Sequence, residues 1–328
     1  MKIKREKTAL FLILLFFVWS VVGCSSLIKT KDSNSLNPIS KEIKKMIDIS
    51  NELPKFTKIK EDDNETQWIV KHKKEKLLKF KYMKSEEENK NNHLIFIYNI
   101  LKDKKQIVSN LIADALLDEG FDCIIVQQEY FMNENWARPI FKHPSNTKLS
   151  YDEYTANLMR NVGRIIKYWI PRQSKLTGEY GFVGISMGGI HSTMSAALFP
   201  KSKMTVAVMA GGGNVELFKN STEKLVISNR ENLSLDYKAN YPNRDIYKDL
   251  SSLKFKILDL AKSVDTKKIK LMITKYDSTV PTKCQWNLYE ALGKPETRTY
   301  PCGHYTLGIF YFSVKWQIQN WMTEAFSD

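Results

Sequence analysis

From residue 93 onward, short apolar runs alternate with helical patterns, and this alternation limits the possible folds more than any other feature of the chain. "HLIFIYNI" (93–100), "CIIVQQ" (123–128), "YGFVGI" (180–185) and "MTVAVMAGG" (204–212) are short and almost continuously apolar. Such runs fit strands buried on both faces. Between them, "KQIVSNLIADALLDEG" places Ile107, Leu111, Ile112, Ala115 and Leu116 at helical spacing and stops at Gly120. "YDEYTANLMRNVGRIIKYWI" ends before Pro171, and "GIHSTMSAALF" ends before Pro200. Strand, helix, strand in sequence predicts an α/β fold whose central sheet is mostly parallel, about eight strands wide, with helices on both faces. Residues 214–265 interrupt the pattern with polar, helical or irregular sequence, which reads as an insertion. It then resumes with "KIKLMITKYD", "CQWNLYEALG", "ETRTYP" and the long helix "LGIFYFSVKWQIQNWMTEAF". Upstream, "KEIKKMIDI" (41–49) reads as a short helix, and "TQWIVKHKK" and "KLLKFKYM" as a pair of short strands.

One turn in this series is unusual. The chain has only 14 glycines, yet Gly184, Gly188 and Gly189 surround Ser186 in "GISMGG", between a strand and a helix. Gly-x-Ser-x-Gly in that context is a nucleophile elbow. Strand and helix backbones nearly touch, so the positions two residues either side of the serine must be small. The serine oxygen is lifted above the C-terminal edge of the sheet, beside the N–H groups that open the helix.

A serine hydroxyl attacks well only when a base takes its proton and an acid orients that base. An Asp or Glu and then a His should therefore follow later strands. Asp277 ends the apolar strand of "LMITKYDSTVP", and His304 lies in "TRTYPCGHYTLG", in a loop that Gly303 allows to turn. Asp259 and Asp265 precede their strand and suit the role less well. His72, His93 and His143 lie in a hairpin, at a strand start and in a loop, and His191 reads as packing or rim.

In the order Ser186, Asp277, His304, the pieces "GISMGG", "KYDSTVP" and "CGHY" make residues 93–326 resemble the α/β-hydrolase fold. The resemblance implies a serine hydrolase, most often an esterase or lipase, that works through an acyl-enzyme without a cofactor or metal. It implies an oxyanion hole formed by the N–H of Met187 and a second donor near Ile100, where this chain has Asn99-Ile100-Leu101 instead of the His-Gly of many relatives. The same triad also serves peptidases and acyltransferases, and the fold occurs in non-catalytic binding proteins. "EYFMNENWARPIF" (129–141) and the 214–265 insertion follow strands whose C-terminal ends face the site, and they are expected to roof a pocket.

The amino-terminal end reads separately. Lys2, Lys4, Arg5 and Lys7 precede the apolar run Ala9–Val22, and Gly23-Cys24 follows. Basic, apolar and small-residue segments in that order make a signal peptide. With the cysteine, this end resembles a bacterial lipoprotein signal. That implies cleavage after residue 23, lipidation of Cys24, a tether over 24–45 and a domain over 46–328 in the cell envelope. The same segment also reads as an uncleaved N-terminal anchor, which would leave the globular part exported and tethered as well. Ser25 favours the outer membrane if the host is Gram-negative.

The net charge is +14, and loss of residues 1–23 would remove three net positive charges and leave +11. The lysines are spread along the whole length instead of forming a stripe, a pattern that argues against nucleic acid and suits an anionic membrane surface. The expected partners are an ester substrate and a membrane. Besides Cys24 there are three cysteines, an odd number that gives no disulfide framework; Cys123 reads as buried, and Cys284 and Cys302 are free to pair.

Overall fold

The computed structural model describes residues 26–29, 36–51, 53–72, 78–86, 92–98, 106–127, 151–224, 226–227, 230–231 and 245–327. Ten strands form one sheet: β1 (Ser26–Ile28), β2 (Lys55–Glu61), β3 (Glu65–Lys71), β4 (Leu78–Met83), β5 (Leu94–Tyr98), β6 (Asp122–Gln127), β7 (Tyr180–Ile185), β8 (Thr205–Val208), β9 (Ile269–Thr274) and β10 (Thr297–Tyr300). Their order across the sheet is β1-β10-β9-β8-β7-β5-β6-β4-β3-β2. The six strands from β6 to β10 run parallel, while β4, β3 and β2 on one side and β1 on the other pair antiparallel.

The parallel centre matches the apolar runs, but the expected sheet of about eight strands has to be corrected to ten, with mixed pairing. The added strands lie at the edges, where one or both faces meet water. β2, "KFTKIKE", is mostly exposed and carries no continuous apolar signature. β1 is three residues long and lies within the stretch expected to be a flexible tether. Its Leu27 pairs with Arg298 of β10, and Asn37 further on donates its N–H to the Lys262 carbonyl at 3.0 Å.

Nine helices are placed among the described residues. They are α1 (Lys41–Met46), α2 (Ile107–Leu117), α3 (Tyr151–Arg164), α4 (Met187–Leu198), α5 (Asn214–Asn220), α6 (Ile246–Ser251), α7 (Ile257–Ala261), α8 (Thr282–Ala291) and α9 (Tyr311–Phe326). Alternate residues of a strand point to opposite faces, so Leu94, Phe96 and Tyr98 of β5 enter one core layer and Ile95 and Ile97 the other. The first layer packs against α3, α4, α7 and α8, and the second against α2 and α9. The helical pattern predicted for 151–170 continues past α3 as a π-turn, Ile165–Trp169, before ending at Pro171. That π-turn points Trp169 at the antiparallel strands, with its ring 5.9 Å from Trp68, 5.4 Å from Phe80 and 5.0 Å from Tyr82. Edge-on aromatic contacts of this kind anchor the β2–β4 meander to the body. The insertion contributes α5, α6 and α7, and residues 232–244 lie outside the described residues.

Candidate active site

All six residues of β7 are buried, and the chain turns at Ser186 directly into α4. Ser186 sits at φ 59° and ψ −119°, a backbone region sparsely populated by side-chain-bearing residues. Its N–H donates to the Val208 carbonyl at 2.8 Å, and its carbonyl accepts the first helical bond from Ile190 N–H at 3.1 Å. The strain is held in place by close approach of the two backbones. A Cβ added to Gly184 would lie 2.1 Å from the Gly188 carbonyl oxygen, and one on Gly189 would lie 2.9 Å from the Val208 carbonyl oxygen. Met187 opens α4, so its N–H belongs to the first turn, where the helix supplies no acceptor.

On the other side, Asp277 follows β9 in a tight turn and is buried. Its Oδ1 accepts the N–H groups of Thr279 at 2.9 Å and Val280 at 3.0 Å. Its Oδ2 accepts the Thr274 hydroxyl at 3.0 Å, the Gln285 amide at 3.0 Å and the His304 Nδ1 at 2.8 Å. A carboxylate with this many donors is held in one orientation. In the tautomer that donates from Nδ1 to Asp277, Nε2 is the ring nitrogen left to accept a proton. The local sequence explains the turn: Asp277 caps its own loop two and three residues on, as Asp does in Asx turns.

Two of these partners, Thr274 and Gln285, went unnoticed in the sequence. Gln285 is fully buried on the inner face of α8 beside Cys284 and Leu288. It also donates to the Val280 carbonyl at 2.9 Å and accepts the Thr274 N–H at 3.1 Å. A glutamine at helical spacing with apolar neighbours was the signal available for it.

Ser186, Met187 and His304 line one cavity of about 690 Å³. Asp277 stands behind the histidine. The rest of the lining is mainly apolar, with Val108 and Leu111 from α2, Leu217 and Phe218 from α5, and Val314 and Ile318 from α9. Hydrogen bonds tie the insertion to the loops that carry Asp277 and His304. Ser221 Oγ donates to the Thr279 carbonyl at 2.6 Å, Thr222 N–H to the Ser278 carbonyl at 2.9 Å, and the Tyr305 hydroxyl to Glu223. Ile100 and Cys24 lie outside the described residues, as does the 129–141 stretch.

The other titratable groups nearby have different roles. His191 is fully buried in α4 between the rings of Tyr98 and Tyr154, each 6.1 Å away, and burial pushes its pKa down to about 3. It is a neutral packing residue. Cys302 and Cys284 are free thiols. Burial, with the Asp277 charge second, pushes Cys302 up to about 12, and burial pushes Cys284 up to about 11. Neither supplies a thiolate near neutral pH. Among the described residues, no three His, Cys, Asp or Glu side chains are grouped to hold a metal ion.

The ordered sheet, the strained serine turn and the Asp–His pair beyond later strands define the α/β-hydrolase class. The chain belongs to the family described as alpha/beta hydrolase domain containing 18, whose model matches residues 103–275. The matched stretch contains Ser186 and ends two residues before Asp277. Among solved structures, the acetyl xylan esterase from Paenibacillus sp. R4 superposes with a TM-score of 0.56 over 83% of this chain and 92% of its own, at 12% identity. Acetyl xylan esterase 1 from Thermoanaerobacterium sp. JW/SL YS485 gives 0.53 over 86% and 96%, at 14% identity. Est1E from Butyrivibrio proteoclasticus gives 0.52 over 83% and 99%, at 13% identity. At these identities the likeness is one of fold, and together with the family match it supports a hydrolase. Comparison with curated sequences finds no match.

Proposed function

We propose that the protein is a serine hydrolase that cleaves a carboxylic ester through an acyl-enzyme. The observation that carries this reading is the shared cavity. The strained Ser186 and the His304 ring open onto it together, and a buried, five-donor Asp277 holds that ring. Ser186 Oγ attacks the ester carbonyl while His304 Nε2 takes its proton. The His304 imidazolium then gives that proton to the departing alkoxide, and Asp277 holds the charged ring throughout. The N–H of Met187 stabilises the oxyanion, with a second donor proposed at Ile100. Water, deprotonated by the same histidine, releases the acid and restores Ser186. The esterases among the structural neighbours and the mainly apolar cavity favour an ester over a peptide.

The proposal extends to location: cleavage after residue 23, a lipid on Cys24 and residence in the cell envelope. The basic, apolar, Gly-Cys order of residues 1–24 supports it.

Labelling with a fluorophosphonate probe tests the chemistry. The parent protein is expected to label and Ser186→Ala to stay unlabelled at the same thermal midpoint. A folded parent that never labels would remove the serine-hydrolase reading.

A further inference from the structure

The turn 305–310 and helix α9 carry two apolar faces, and the core uses only one. Val314, Ile318, Trp321, Met322 and Phe326 are buried against the sheet. On the other side, Ile309, Phe312 and Trp316 recur at intervals of three and four and are 59%, 74% and 55% exposed. Tyr305, one turn earlier, is 75% exposed, and Tyr276 of the Asp277 turn is 71% exposed. Single exposed apolar side chains are ordinary, but a clustered stripe rich in Tyr and Trp marks an interaction surface. The stripe borders the cavity. Tyr305, Gly308, Tyr311 and Lys315 line it, and Ile309, Phe312 and Trp316 each follow a lining residue by one position, about 100° around a helix.

The position of Ser26 indicates what covers this stripe. Because β1 runs antiparallel to β10, Ser26 lies opposite Thr299, five residues before His304. The preceding chain therefore leaves the sheet at the end where Ser186, Asp277 and His304 emerge. The apolar run Ala9–Val22 stops three residues short of Ser26. At about 3.5 Å per extended residue, the two residue steps from Cys24 to Ser26 can span at most roughly 7 Å. A lipid on Cys24, two residues before Ser26, would draw this end of the sheet towards a bilayer. A second copy of the chain could cover the stripe, but it would not account for the proposed lipid attachment two residues before Ser26, at the same end of the sheet.

We infer that Tyr305, Ile309, Phe312 and Trp316 form a membrane-docking face that sits in the outer part of a lipid leaflet and holds the cavity rim against it. Tyr and Trp favour the headgroup boundary, while Ile309 and Phe312 supply apolar area below it. The chain's excess of lysine adds attraction where the leaflet is anionic. The inference relies on the proposed anchoring only for direction and does not depend on ester chemistry.

The test uses the full chain in vesicles of phosphatidylcholine and phosphatidylglycerol with brominated acyl chains, which quench indoles that touch them. The chain has seven tryptophans, so the signal is the difference between the parent and Trp316→Phe. The expected result is a quenched component in the parent that is missing in Trp316→Phe. That component should also be lost in Ile309→Ser/Phe312→Ser, while hydrolysis of a short water-soluble ester is unchanged. No turnover of that ester, with the Trp316 component still quenched, would remove the hydrolase reading and leave docking in place. Trp316 emission indifferent to brominated lipid overturns the docking face. So does sedimentation showing a dimer that Phe312→Ser separates.

Discussion

The two sides of the cavity are held by different physics. On the Ser186 side the constraint is steric: a positive-φ serine, a Gly184 whose missing Cβ leaves room for the Gly188 carbonyl, and apolar packing beneath. On the Asp277 side it is polar: Thr274, Gln285 and two backbone N–H groups saturate one buried carboxylate. A steric constraint depends on neighbours two residues away and is written locally in the sequence. A hydrogen-bond network draws on residues from a strand, a turn and a helix, and forms only once these have packed together. The first side should therefore fail abruptly when one atom is added, and the second by degrees as donors are removed.

The largest effect should come from Gly184→Ala, whose Cβ would lie 2.1 Å from a backbone oxygen that cannot swing away. A loss on the order of 4 kcal/mol or more is expected, together with activity, measured by urea unfolding. A cost below about 1 kcal/mol would show that the elbow can relax and would break the contrast.

His191 probes the same side through pH. Its folded-state pKa of about 3 lies below the ordinary histidine value of 6.5. Above about 6.5 neither the folded nor the unfolded state is protonated there, and the stabilising effect of the neutral ring is complete. As pH falls from about 6.5 towards 3, only the unfolded chain takes up the proton, and stability drops by a few kcal/mol. His191→Phe should flatten the stability profile across that window; an unchanged slope would mean the ring is accessible to protons.

An intermediate effect is expected for Gln285→Leu. It removes one donor from the Asp277 carboxylate and strands the buried Thr274 N–H, at a cost of about 2 kcal/mol. With the carboxylate less firmly oriented, kcat should fall while KM changes little. A fall in stability alone would mean that Gln285 serves packing only.

The smallest should be Tyr305→Phe, which removes an exposed hydroxyl from Glu223. Its effect on thermal stability should stay within about 0.5 kcal/mol. A larger loss would show that this tie holds the insertion in place.

How far each part could be read in advance follows the same division. The parallel strands β5 to β8 are almost continuously apolar because both of their faces are buried. Ser186, Asp277 and His304 each sit where a buried strand ends, and the glycines around Ser186 record a contact between near neighbours. The edge strands escaped notice. Lys-rich β2 and three-residue β1 gain their shape from a partner strand and carry almost no pattern of their own.

The sequence by itself therefore determined the alternating core, the serine turn and the order of the acid and the histidine, because each depends on burial periodicity or on residues close along the chain. Only the tertiary structure decided that Gln285 and Thr274 reach Asp277, that β1 joins the sheet at β10, and that Ile309, Phe312 and Trp316 stay exposed next to the cavity-lining Gly308, Tyr311 and Lys315. Those arrangements depend on distances between segments far apart in the chain, and no local pattern records such distances.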